Sequence, residues 1–150
     1  MYLLDTNIVS LIAPSKRRTE ADEGLAAWIV DKSEDLWLSV VTAAEIEDGI
    51  AQAARTGAIR KSRDLAEWWG EIRHYYASRI LPIDLETARE TGRLMDVARA
   101  AGINPGFEDL AIAATGRRNG LVVLTDNDRD FRPLGVEFAN PFTAWTTRLR

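Results

Sequence analysis

A chain of 150 residues with 46% hydrophobic content is long enough to bury its own core, and residues 1–150 are read as a single domain. It has no cysteine and one histidine, His74, which excludes disulfide scaffolds and thiolate sites and argues against zinc; a metal would need oxygen ligands, which suits Mg²⁺ or Mn²⁺. The formal charge of −4 runs against a protein that binds nucleic acid by overall charge, so such a partner would be met by local arginines or bound cations.

The opening Met1-Tyr2-Leu3-Leu4-Asp5 carries no basic leader and no long apolar stretch, so a cytoplasmic protein without a membrane anchor is expected. Residues 2–4 read as a short apolar strand, followed by the polar triplet Asp5-Thr6-Asn7 and a helical run over 8–12 that Pro14 ends. After a charged loop at 15–18, residues 19–31 have helical spacing, with Leu25, Trp28 and Ile29 on one face. Residues 36–41 form a second buried strand, and Thr42 opens a helix through Ala53 that stops at Gly57.

From 59 to 78, Leu65, Trp68, Trp69, Ile72, Tyr75 and Tyr76 recur at helical spacing, which is read first as core packing. A brief strand at 79–83, a helix at 85–101 closed by Gly102, and a helix from Phe107 to about Arg118 closed by Gly120 follow. Residues 121–124 form a fourth strand and 136–138 a weak fifth, before Asn140-Pro141 and a tail containing Trp145. Strands alternating with helices predict an α/β fold with a doubly wound central parallel sheet of four to five strands flanked by helices.

In such a sheet ligands bind beyond the carboxyl ends of the strands, where the crossover helices also begin. Asp5 follows strand one, Glu45 lies in the expected first turn after strand two, and Asp109 opens the helix before strand four. The run Asp126-Asn127-Asp128-Arg129-Asp130 follows strand four. Singly, each has a structural explanation. Asp5 or Asn7 is a good N-cap, and Thr42-Ala43-Ala44-Glu45 matches a capping box. Asp109 suits the helix dipole, and 126–130 suits a surface turn. Together they crowd one edge, where carboxylates raise one another's pKa unless a cation intervenes. Such a cluster could hold Mg²⁺ and act on phosphate esters.

These segments carry a resemblance. The opening Met1-Tyr2-Leu3-Leu4-Asp5-Thr6-Asn7 resembles that of the PIN-domain VapC toxins. So do Thr42-Ala43-Ala44-Glu45-Ile46 with Gly49, the run from Glu108 to Thr115, the run from Leu124 to Phe131, and Asn140-Pro141-Phe142. The resemblance implies a PIN fold and a Mg²⁺-dependent endoribonuclease, the toxin of a VapBC-type toxin–antitoxin pair. It implies metal binding by Asp5 and Asp109 and a cluster completed by Glu45 and Asp130. Thr6, Asn7, Thr125 and Asn127 are expected to support those carboxylates. Asp128 is not placed in the site, and Asp126 and Glu108 depart from the family pattern.

The resemblance further implies an RNA substrate of the tRNA or rRNA class, a VapB-like antitoxin and a homodimer. The aromatic helix at 59–78 is a candidate for a partner-facing patch, and Arg55, Arg60, Lys61, Arg63, Arg73 and Arg79 are candidates for RNA contacts. Three other readings compete. An aspartate-nucleophile phosphatase needs an acid where Asn7 stands, and a receiver domain needs a late lysine, whereas none follows Lys61. A non-catalytic PIN-like binding module would not need the acidic set.

Overall fold

The computed structural model describes residues 1–14 and 18–144. Most of the charged loop expected at 15–18, and the tail with Trp145, fall outside the described residues.

The elements in chain order are β1 (Tyr2–Leu4), α1 (Thr6–Leu11), α2 (Glu20–Asp31), β2 (Leu36–Ser39), α3 (Val40–Arg55), α4 (Ile59–Tyr75) and β3 (Ile80–Leu81). They continue with α5 (Leu85–Ala100), α6 (Phe107–Asn119), β4 (Val122–Leu124), α7 (Asp128–Phe131), β5 (Phe138–Ala139) and α8 (Pro141–Ala144). All five strands are parallel, in the order β3-β2-β1-β4-β5. The chain winds outward one way from β1 through β2 to β3, then the other way from β4 to β5. The switch point therefore falls between β1 and β4, where Leu4 pairs with Leu124.

Strand alternation builds two cores. Leu3 and Val123 point into one with α5 and α6, including Leu94, Leu110 and Ile112. Leu4, Leu36, Leu38 and Leu124 point into the other with Ile8, Leu25, Ile29, Ile46 and Trp69. Both faces are covered, so the strands read as continuous apolar runs although their side chains alternate. No helix among the described residues is long and apolar enough to cross a membrane.

Several boundaries differ from the sequence reading for identifiable reasons. Asp5 itself is the N-cap of α1, accepting the Thr6 N–H at 2.7 Å, so that helix starts two residues earlier than expected. The second strand ends at Ser39, whose hydroxyl accepts the Val41 N–H at 3.1 Å and caps α3. Thr42 therefore lies inside α3, the expected capping box does not form, and Glu45 sits in the second turn. The turn expected at 126–130 contains α7, capped by Asn127. α2 has the capping box that α3 lacks, between Thr19 and Asp22.

The aromatic helix α4 packs inward. Trp69 and Tyr76, just past its end, are buried, and the Trp69 indole N–H donates to Glu47 at 2.9 Å. Tyr75 is exposed, with its hydroxyl bonded to Ser33 and Glu34, so the aromatic set is divided between core and surface. His74 lies on the surface.

Candidate active site

The carboxyl ends of β1 and β4 lie side by side, with the Asp5 N–H donating to the Leu124 carbonyl at 3.0 Å. This register places Asp5 against Thr125. The Thr125 hydroxyl donates to Asp5 Oδ2 at 2.7 Å, while Asp5 Oδ1 accepts the Thr6 N–H. Thr125 in turn accepts from the Asn7 amide at 3.2 Å and from the Asn127 N–H at 3.0 Å. Asn7 also donates to Asp126. Its own Oδ1 is shielded from solvent and accepts no hydrogen bond.

Glu45 reaches the same edge from α3. Its Oε2 accepts from the Thr6 hydroxyl, and Thr42 Oγ1 lies 3.2 Å from the same Thr6 oxygen. A helix-start explanation does not apply in the second turn of α3. The side-chain bond to Thr6 ties Glu45 to the Asp5 turn instead.

Asp109 enters from the first turn of α6, half-buried, while the neighbouring Glu108 is exposed. Asp130 is buried on α7, with Asn127 donating to one oxygen at 3.1 Å and Arg129 to the other at 3.1 Å. Asp128 turns elsewhere, to Asn140 at 2.9 Å and Arg132 at 3.3 Å.

Electrostatics link the four acids. Burial pushes the Asp5 carboxyl up to about 6; hydrogen bonds from Thr125 and Thr6 oppose this, and the charges of Asp109 and Glu45 add to it. Asp109 is raised by burial first, then by Asp130 and Glu45. Burial also opposes ionisation of Asp130, but the hydrogen bonds from Arg129 and Asn127 outweigh it and the pKa is lowered. Asp130 thus ionises before Asp5 and Asp109, and its charge is felt at Asp109. The mutual elevation expected of crowded carboxylates is present at Asp5 and Asp109.

Among the described residues, no three carboxylates stand close enough to close around one ion. An ion at this edge would take one or two carboxylates and complete its shell with water, the usual way protein binds Mg²⁺. The donors fit a hard cation. They are all oxygens, and each Asp5 oxygen has accepted a single hydrogen bond and keeps a lone pair. Asn7 Oδ1 is an acceptor still lacking a donor, which ion-held water suits.

Sequence reasoning missed two members of this network. Thr42, fully buried, braces Thr6, and Asp126 anchors the Asn7 amide. The Thr42-Ala43-Ala44-Glu45 spacing predicts a cap, and Asp126 departs from the family pattern, so neither carries a usable signal. Of the expected RNA-contacting cations, Arg79 is committed to the fold. Its guanidinium lies 5.2 and 4.7 Å from the Tyr75 and Tyr76 ring centres and donates to the Ser33 carbonyl.

The architecture is a small doubly wound α/β domain with carboxylates at its switch point, and comparison with known proteins gives the family. The sequence profile of the PIN domain matches residues 2–136, and the chain belongs to that family. It is similar to VapC ribonuclease Y4jK of Sinorhizobium fredii, with 34% identity covering 95% of this chain and 98% of that protein. It is also similar to toxin FitB of Neisseria gonorrhoeae, 31% identical over 95% of this chain and 99% of that one. Among solved structures, FitAcB from Neisseria gonorrhoeae superposes with a TM-score of 0.81 at 31% identity, over 95% of this chain and 99% of the other. The DNA-bound VapBC from Salmonella typhimurium superposes with a TM-score of 0.67 at 25% identity, over 92% and 96%.

Proposed function

We propose that residues 1–150 form one PIN unit acting as a Mg²⁺-dependent endoribonuclease, the toxin of a VapBC-type pair in the cytoplasm. The observation that carries this reading is the convergence of Asp5, Glu45, Asp109 and Asp130, from four separate segments, on the switch-point edge. Full-length similarity to a protein named VapC ribonuclease supports the reaction class. Relatives solved as FitAcB and VapBC complexes support a VapB-like antitoxin as partner. A homodimer and a tRNA or rRNA substrate complete the proposal.

Asp5 and Asp109 would hold Mg²⁺, with Mn²⁺ as a substitute. When bound, such an ion lowers the pKa of a water ligand and stabilises charge on phosphate. The protein's own groups do the rest. Thr125 and the Thr6 N–H fix both Asp5 oxygens, so that carboxylate is oriented before anything binds. Glu45 has Oε2 engaged by Thr6 and keeps Oε1 to accept a proton from attacking water. Asp130 is held ionised by Arg129 and Asn127 and maintains the negative field that favours a cation over a bare phosphate.

The test is cleavage of labelled structured RNA by the purified, antitoxin-free chain. Mg²⁺ or Mn²⁺ should support cleavage, whereas EDTA and Asp109→Asn should each abolish it. Undiminished cleavage in EDTA, or by Asp109→Asn, would overturn the metal assignment.

A further inference from the structure

Beside the acidic cluster lies a cleft of about 640 Å³, within the range of about 300–1,000 Å³ common for ligand sites. Val41, Ile83 and Phe107 give it apolar walls, while Glu45, Asp48 and Glu108 give it carboxylates. Glu45 also belongs to the cluster, so the cleft and the reaction centre are continuous. Phe107 is the first residue of α6, two places ahead of Asp109, and its side chain is 57% exposed. The same ring borders a smaller hollow of about 290 Å³ that includes Arg99 and Asn104. It stands as an apolar ridge at the mouth of an acidic cleft.

Charge decides what can enter. No lysine or arginine is among the described residues lining the cleft, and its carboxylates repel phosphate. A nucleic-acid backbone is kept out, but a neutral unpaired base is not. Its face can stack on Phe107, and its N–H edge can meet carboxylate oxygens. Guanine presents N1–H and N2–H side by side, a match for one carboxylate. Uracil presents one N–H between two carbonyl oxygens, which the acids oppose.

We infer that this cleft is a nucleobase subsite, in which an unpaired guanine adjoining the cleaved phosphate stacks on Phe107 and is read by Glu108 and Asp48. The inference rests on the ribonuclease reading and adds to it a base preference and a stacking platform. Base-on-aromatic stacking changes affinity by about tenfold per base whatever the base, and a two-point contact with the base edge discriminates by about tenfold or more, which sets the expected preference.

The experiment measures fluorescence anisotropy of end-labelled RNA nonamers in EDTA, which withholds the ion that cleavage requires. One is all uridine and the other carries a single central guanine. The wild-type chain should prefer the guanine oligomer about tenfold. Phe107→Ala should remove most of that preference, Phe107→Trp should retain it and Glu108→Gln should reduce it, each with an unchanged circular dichroism spectrum. On cleavable RNA, Phe107→Ala should raise KM about tenfold with kcat within about twofold. If wild type cleaves RNA with Mg²⁺ but binds both oligomers alike, and Phe107→Ala matches it, the subsite is wrong and the ribonuclease reading stands. If Phe107→Ala weakens binding of an arginine-rich peptide and leaves both oligomers unaffected, the cleft is a protein-docking site and the inference fails. If wild type neither binds nor cleaves any RNA, both readings fall together.

Discussion

Thr125 has one proton to donate, and its neighbours determine where it goes. The Asn7 amide and the Asn127 N–H occupy its two acceptor positions, at 3.2 and 3.0 Å, so the hydroxyl hydrogen must point to Asp5 Oδ2 at 2.7 Å. Thr125 is fully buried, and no water can substitute readily. Thr125→Val keeps the shape but leaves Asp5 short of a donor and two N–H groups short of an acceptor. The expected result is a loss of about 10–100-fold in activity or metal affinity. Thermal melting should also show destabilisation of about 1–3 kcal/mol. Thr125→Ser, which retains the hydroxyl, should recover most of both; an equally damaged serine variant would show that the hydroxyl is not what matters.

At the scale of elements, α6 explains how the site stays in place. Every residue from Leu110 to Gly116 is buried, so the helix is enclosed rather than amphipathic. Its first turn projects Asp109 into the site, while its far end lies against β4. A Cβ built on Gly116 would stand 2.5 Å from Val123 Cγ2 and 3.4 Å from the Leu121 carbonyl oxygen. Gly116→Ala should therefore be destabilising, although alanine is the better helix former. Overpacking of about 1–3 kcal/mol exceeds the roughly 1 kcal/mol of propensity regained. Urea unfolding checks the sign, and a higher midpoint for the variant would mean that β4 yields easily. The order of strands and helices was legible because apolar runs and Gly stops are local signals. The sequence also pointed to Asp5, Glu45 and Asp109, each near a recognisable strand end or helix start, and to the run 126–130, within which the family resemblance singles out Asp130. What escaped it was tertiary. The start of α3 depends on Ser39 rather than Thr42, and the brace between Thr6 and Thr42 joins residues 36 positions apart. The enclosure of α6 depends on α5, β4 and α3 packing around it, which no single segment announces.

For the whole molecule, the acidic edge is a source of instability held together by two cores. Asp5 has a folded pKa of about 6 against 3.8 for the free side chain. Between about pH 4 and 6 the folded protein therefore retains a proton that the unfolded chain has lost, and metal-free stability falls as pH rises through that window. The shift of about two pH units corresponds to about 3 kcal/mol once Asp5 is fully ionised. Asp5→Asn removes the buried charge, so at pH 7 in EDTA it should melt at a higher temperature than wild type. Divalent ion closes most of that gap. At 100 times its dissociation constant, Mg²⁺ stabilises the folded state by about 2.7 kcal/mol, or about 5–10 °C in Tm for a chain of this size. Wild type should gain that increment and Asp5→Asn should gain little. A melting series in pH and Mg²⁺ tests this without any RNA. If Asp5→Asn were less stable than wild type in EDTA and responded equally to Mg²⁺, Asp5 would be a structural cap with no part in holding the ion.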